Sequence, residues 1–330
     1  MKNLKLLLVS LAILFSHNLT MGQGPKDGKN ERNPVKSALN AFKFRSIGPA
    51  FMSGRIADIA IDPKNENVWY VAVGSGGVWK TENSGTTWTP LADNMPFYST
   101  GCITIDPHNN ASIWLGTGEN VGGRHVGIGH GVYHSKDGGK SWKDMGLKKS
   151  EHISKIIVHP DDPNTVWVAS QGPLWSPGGE RGLFKTTNGG KTWKNTLDIN
   201  EWTGVTDLVI DPNNPNILYA ASWQKHRNVA ALIGGGPGTS LYKSVDGGDN
   251  WSKIDKGLPK SNKGKIGLAI SPMQPNVLYA AVELDKRAGA VYRSDNSGGS
   301  WKKMSDTVSG GTGPHYYQEL VASPHVFDKI

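Results

Sequence analysis

Ser135-Lys-Asp-Gly-Gly-Lys-Ser-Trp142 is the stretch whose reading decides the fold. Alone it is a plausible tight turn. The chain repeats its frame, Ser/Thr-x-Asp/Asn-x-Gly-x-x-Trp, five times: at Thr81–Trp88, Ser135–Trp142, Thr186–Trp193, Ser244–Trp251 and Ser294–Trp301. The five tryptophans lie 50 to 58 residues apart, a period that announces a repeat architecture.

A second phrase precedes each turn. Ile59-Ala-Ile-Asp-Pro63 is followed by Val68-Trp-Tyr-Val-Ala72, and the pair returns at Ile103–Pro107, Ile156–Pro160, Leu208–Pro212 and Leu268–Pro272. Each is a short apolar run, a Pro/Asn-rich turn and a second apolar run, which reads as two strands of a meander. A third run follows (Gly77-Val-Trp-Lys80 and its equivalents). The turn motif comes next, and its Trp is expected to open a fourth strand. Four strands about every 50 residues is the layout of a β-propeller blade. One such sheet cannot bury both faces alone, so stability resides in the stacking of neighbours.

The all-β propeller is expected to run from residue 42 to 330, as five full blades plus part of a sixth. Tyr316–Pro324 is a sixth copy of the first strand, and Phe44-Arg-Ser-Ile-Gly-Pro49 matches a fourth strand (compare Trp142-Lys-Asp-Met-Gly-Leu147). The latter reads as a ring-closing strand. An open arc leaves apolar edges uncovered, so the chain is expected to be part of a longer one, with further propeller sequence after Ile330. Residues 1–22 read as a secretory signal peptide, with Lys2 and Lys5 ahead of the apolar run Leu6–Phe15. Residues 23–41 form a polar spacer expected to be disordered. Export follows, to the medium, the periplasm or the cell surface. No stretch is long enough for a transmembrane helix.

The net charge of +8 is misleading until it is located. Residues 1–45 hold eight Lys/Arg against Asp27 and Glu31, a balance of +6, which leaves about +2 for the rest. That excludes a basic nucleic-acid-binding domain. The single cysteine, Cys102, sits in an apolar strand pattern, so it permits no intramolecular disulfide and reads as a core residue.

The repeated turn resembles the Asp-box, or BNR, repeat of sialidases, xyloglucan-cleaving endoglucanases, sortilin/Vps10 receptors and a photosystem II assembly factor. The whole frame from Phe44 to Ile330 is most similar to secreted bacterial BNR-repeat glycosyl hydrolases and sortilin-like proteins. The resemblance is specific for fold and much less so for activity, because one propeller hosts many functions. Sialidases carry three substrate-binding arginines and an early Arg-Ile-Pro motif, which Phe44–Pro49 matches only with insertions. Sortilin receptors add cysteine-rich modules that one cysteine cannot supply. The xyloglucanase type uses two aspartates in a cleft between two propellers, and only one partial propeller is present.

The resemblance also implies that the Asp-box lies on the face opposite the binding face. The variable loops, Gly116–His130, Ser170–Gly182, Ser222–Thr239 and Glu283–Gly289, would then carry the site, as loops on a rigid scaffold do. The ligand-binding candidates are Arg55, Glu119, Arg124, His125, Trp175, Arg181, Trp202, Trp223, His226 and Glu319. Aromatics beside Arg and carboxylates suit a glycan or a peptide, although Trp175 and Trp223 serve equally well packed beneath their own loops. His125, His130 and His226 lack metal-binding spacing, so neither a metal nor a cofactor is expected.

The slot five residues before each repeated proline holds Asp58, Cys102, Lys155, Asp207, Gly267 and Glu319. With Arg55 and His152, these residues are expected to ring the channel mouth. Asp58 and Asp207 are the candidate catalytic pair, since two carboxylates ~5–10 Å apart serve glycoside hydrolysis; ion pairs and solvated channel residues are the simpler alternative. Three functions stay open: a glycan- or peptide-binding propeller, an endo-acting glycoside hydrolase completed by missing sequence, and a structural or assembly module.

The turn itself reads as a fastener. Asn83, Asn188 and Asn296 replace Asp137 and Asp246 in three of five copies, so a calcium role fits poorly. A side-chain oxygen that caps backbone N–H groups is what Asp and Asn share. The glycine supplies positive φ, and Trp88, Trp142, Trp193, Trp251 and Trp301 supply packing area.

Overall fold

A computed structural model describes residues 55–123, 125–284, 288–307 and 318–330. The expected signal peptide, the expected spacer, the expected strand at Phe44–Pro49, Arg124 and Tyr316–Tyr317 lie outside the described residues. Within them the chain is all-β, with no helix.

Five four-stranded antiparallel sheets follow one another, each paired in chain order. The first comprises Ile56–Ile61, Trp69–Val73, Gly77–Thr81 and Thr89–Pro90. The others begin at Thr100–Asp106, Ile153–His159, Thr203–Asp211 and Ile266–Ile270. Each fourth strand begins one residue after the box tryptophan. A small extra hairpin, His226–Arg227 with Leu232–Ile233, projects from the long loop of the fourth sheet.

First strands of consecutive sheets lie against one another. The core is accordingly divided into clusters between sheets. Tyr70, Ala72, Ile103, Ile113 and Leu115 fill the first joint; Trp114, Ile153, Ile156, Val166 and Val168 fill the second. Trp167, Leu183, Leu208 and Leu218 fill the third, and Tyr219, Leu241, Leu268, Leu278 and Tyr292 the fourth. Each fully buried large side chain contributes roughly 1.5–3 kcal/mol, so the apolar alternation of one sheet is productive only beside the next.

The five turns carry one hydrogen-bond set. In Ser135–Trp142 the Ser135 hydroxyl donates to Asp137 Oδ1 at 2.8 Å and accepts the Gly139 N–H at 2.8 Å. Asp137 Oδ1 also accepts the Ser141 N–H at 2.8 Å. Asp and Asn interchange because the residue four further on adapts. Asp137 accepts the Ser141 hydroxyl, whereas Asn188 Nδ2 donates to Thr192 Oγ1. Gly139 has φ 87° and could carry no Cβ, which would lie 2.5 Å from Leu91 Cδ1.

The sixth first strand differs from expectation. Gln318–Pro324 forms no strand, since no described second strand pairs with it. The segment nevertheless lies on the fifth sheet. Gln318 Nε2 donates to the Ala281 carbonyl at 3.1 Å, and Leu320, Ala322 and Phe327 pack on Ala269, Val277 and Tyr279.

Candidate functional site

The ladders between first and second strands shift register at Ala57, Gly101, Ser154 and Thr206, one residue before the slot, in four of the five sheets. In the fifth, where the slot is Gly267, the register is unbroken. Such bulges re-aim side chains. Here the two slot aspartates turn toward the next sheet: Asp58 accepts the N–H groups of Ile59 (2.9 Å) and Ile103 (3.0 Å). Asp207 accepts those of Leu208 (2.9 Å) and Leu268 (2.7 Å). Each candidate catalytic carboxylate thus bonds its own sheet with one oxygen and the neighbour with the other. Burial raises both carboxyl pKa values, against the pull of Lys155.

Lys155 is the electrostatic centre of this cluster. Burial works against its charge, but Asp207, Asp58 and Glu319 together hold its pKa above the usual value. Burial also raises Glu319, opposed by Lys155 and Lys265. Cys102 is buried beside this cluster, and burial pushes its thiol far up, which leaves it a poor nucleophile.

Four loops meet in a buried polar layer. Asn120 Oδ1 accepts from Gln171 Nε2 and from Lys265 Nζ at 3.0 Å, and Lys265 also donates to the Asn120 carbonyl at 2.9 Å. Gln171 Oε1 accepts from Lys225, and Gln171 Nε2 donates to Thr206 at 3.0 Å. The ammonium groups of Lys225 and Lys265 lie 4.8 and 5.6 Å from the Trp223 ring. Burial pushes Lys225 well below its usual pKa, with Arg181 and Lys265 adding to the effect, and pushes Lys265 down to about 8. His152, fully buried beneath these loops, is also driven well below its usual value by burial, with Lys225 contributing.

The expected ligand residues divide by position. Arg55 forms a two-pronged ion pair with the fully buried Glu119, its Nη2 donating to Oε2 at 2.8 Å. Arg181, 3% exposed, donates to the carbonyls of Gln171, Pro173, Ser176 and Gly178, so it holds its own loop in shape. Trp223 lies beneath its own loop, with its indole N–H on the Gly234 carbonyl at 2.8 Å. On the surface are Trp175 (42% exposed), His125, and Trp202 with His226, whose rings lie 4.0 Å apart.

The loops beneath these rings are packed together. Val121, Val126 and Leu174 form one buried cluster. Arg227 donates from Nε to the Gly122 carbonyl and from its backbone N–H to that of Leu174, at 3.1 and 3.0 Å. Asn120, Gln171, Lys225 and Lys265 were not among the sequence candidates. Lys265 had a usable signal: two residues before the slot, where other copies have Ile56, Thr100, Ile153 and Val205, it alone is charged.

These repeats and stacked sheets define an Asp-box β-propeller. Comparison with known proteins finds similarity to glycoside hydrolases of the xyloglucanase type and to a sortilin family model. A family model described as "Sortilin, neurotensin receptor 3" matches residues 130–258. A probable oligoxyloglucan-reducing end-specific xyloglucanase of Neosartorya fischeri is 23% identical over 67% of this chain and 26% of its own length. A xyloglucanase of Hypocrea jecorina is 22% identical over 84% of this chain and 35% of its own. The crystal structure of an ancestral GH74 enzyme superposes with TM-score 0.60 at 25% identity, over 76% of this chain and 31% of that one. The chain therefore spans about a quarter to a third of the length of these two curated relatives. Among the described residues no helix is long and apolar enough to cross a membrane.

Proposed function

We propose that this is an exported propeller that binds a neutral glycan across the exposed Trp175 and the half-buried Trp202–His226 pair of its loop face. One observation carries the reading: Trp175 and the Trp202–His226 pair stand at the surface on loops locked to one another from below. Flat rings that reach the surface from a rigid base suit sugar faces, which stack without needing charge. The buried or half-buried ions of the region, Arg55, Glu119 and Arg181, are engaged in internal bonds. That disfavours an acidic glycan or a charged peptide as ligand. Relatives named as xyloglucanases lend the reading support, and a xyloglucan oligosaccharide is the first probe. Titration by calorimetry should show binding that Trp175→Ala and Trp202→Ala each weaken by about tenfold or more. Selective binding of peptides, or glycan binding indifferent to both changes, would sink it.

A second reading, an endo-acting glycoside hydrolase needing further sequence to complete its cleft, has the xyloglucanase relatives in its favour. Asp58 and Asp207 would be its acid and base, with pKa values raised as a general acid requires. Their use as acceptors between sheets weighs against it. Release of reducing ends from xyloglucan, lost in Asp58→Asn and Asp207→Asn while folding is kept, would establish hydrolysis.

A further inference from the structure

The charges between consecutive sheets follow the repeat in three joints and depart from it in the second. Opposite the buried aromatic of the second strand, the first four sheets place Lys80, His134, Lys185 and Lys243. Lys80 pairs with Glu82 at 2.6 Å. Lys185 reaches Asp249 in the box turn of the following sheet at 3.1 Å, and Lys243 donates to the Ser297 carbonyl of the following box at 3.2 Å. In the second joint His134 is shorter, and its Nε2 stops 2.8 Å from the Ser112 hydroxyl. In the repeat register Lys136 stands in the slot of Glu82, and Lys191 in the slot of Asp249. Lysines thus occupy both positions where the flanking joints carry carboxylates.

A cavity of about 650 Å³ lies there, bordered by His134, Lys136, Trp142, Lys143, Met145 and Lys191. Among the described residues none of the three lysines forms an ion pair. Asp106 is the one carboxylate of the described wall, and it already accepts the Ser112 hydroxyl at 3.0 Å and the His108 backbone N–H at 2.9 Å. Like charges gathered around a concave site focus a positive potential, and the volume is that of a small-molecule site. The wall also holds an orphaned donor. Trp167 turns its Nε1 to the next box and donates to the Gly247 carbonyl at 3.0 Å. Trp114, the matching ring of the second joint, lies the other way round: a Cβ added at Gly190 would meet its Cη2 at 3.1 Å. Its buried Nε1 has no hydrogen-bond partner among the described residues.

We propose that this cavity binds a small organic oxyanion, a carboxylate, sulfate or phosphate carried on a sugar-sized frame. The anionic group takes the place that protein carboxylates fill in the flanking joints, between Lys136 and Lys191, and the carbon frame lies along Trp142 and Met145. The wall shares no residue with the Trp175 and Trp202–His226 surface, so the two sites stand or fall separately.

Calorimetric titration of the full chain with glucuronate, glucose 6-sulfate, glucose 6-phosphate, inorganic phosphate and glucose tests the proposal. At least one of the three sugar anions should bind about tenfold or more tightly than glucose, and the tightest identifies the anionic group. Added salt should weaken that binding. Replacing both exposed lysines, Lys136→Gln with Lys191→Gln, should weaken it by about tenfold or more. Lys191→Asp supplies the carboxylate that the third joint has at Asp249, so it should abolish anion binding without lowering the thermal midpoint. Sugar anions that bind no better than glucose would overturn the proposal, as would anion binding unchanged by the double lysine substitution. Inorganic phosphate binding as tightly as every sugar anion would also overturn it, since the cavity would then hold an adventitious ion only.

Discussion

The Asp207 carboxylate crosses the joint between the fourth and fifth sheets to accept the Leu268 backbone N–H at 2.7 Å. Asp58 does the same for Ile103 at 3.0 Å, between the first and second. Each aspartate satisfies a strand N–H at the start of a neighbouring ladder. Asp207→Ala leaves the Leu268 N–H buried and unpaired and should cost about 1–3 kcal/mol in urea unfolding, with Asp207→Asn costing less. The pH dependence follows from the sign of the shift. Burial raises the folded-state pKa above 3.8, so between 3.8 and that raised value the folded chain binds more protons than the unfolded one. Stability from this group therefore grows as pH falls through that window, and the gain should vanish in Asp207→Asn.

Arg181 decides the shape of the loop that carries Trp175. Arg181→Lys replaces a planar fork by a single ammonium that cannot reach four carbonyls at once. A loss of about 2–4 kcal/mol is expected. Limited proteolysis should cut first within residues 171–180, and glycan affinity should fall although Arg181 touches no ligand.

Trp202 rests against His226 and lies 6.0 Å from the Arg181 guanidinium. Removing either the Trp202 or the Trp175 ring should weaken glycan binding by about tenfold or more, a loss of ~1.4 kcal/mol. Trp202→Phe should retain most of the affinity, since a stacking surface survives. Trp223→Ala should lower stability instead, because that ring is buried beneath two lysines.

His134 should govern part of the acid sensitivity. It lies directly across the ladder from Trp114 and stacks on it at 4.1 Å, where the other sheets place Lys80, Lys185, Lys243 or Arg293 opposite an aromatic. Burial, with Lys136 nearby, pushes its pKa from 6.5 down to about 4. The unfolded chain therefore takes up a proton that the folded chain refuses, and this contribution to stability is lost as pH falls from about 6.5 to about 4. Unfolding free energies measured across that range should slope less steeply in His134→Gln.

The repeat determined the fold because its parts are local. A hydroxyl, an Asx side chain, a positive-φ glycine and a tryptophan within eight residues close a turn wherever they occur. Alternating apolar runs at fixed distances from that turn then leave four strands few ways to pair. The stacking was legible too, as a deficit: no single sheet could cover its own faces. The roles of the variable residues were not legible. Arg181 and Trp175 stand in one loop with equal chemical promise, yet one is turned into the loop's interior and the other out to solvent. Asp58 and Asp207 share one slot of the first strand in the sequence, but the bulge that aims them at the next sheet leaves no mark in residue type. Asn120, Gln171, Lys225 and Lys265 come from four different repeats and meet only through radial stacking. Contacts within a repeat are set by spacing along the chain, whereas contacts between repeats depend on bulges, loop paths and burial that exist only once the sheets are assembled.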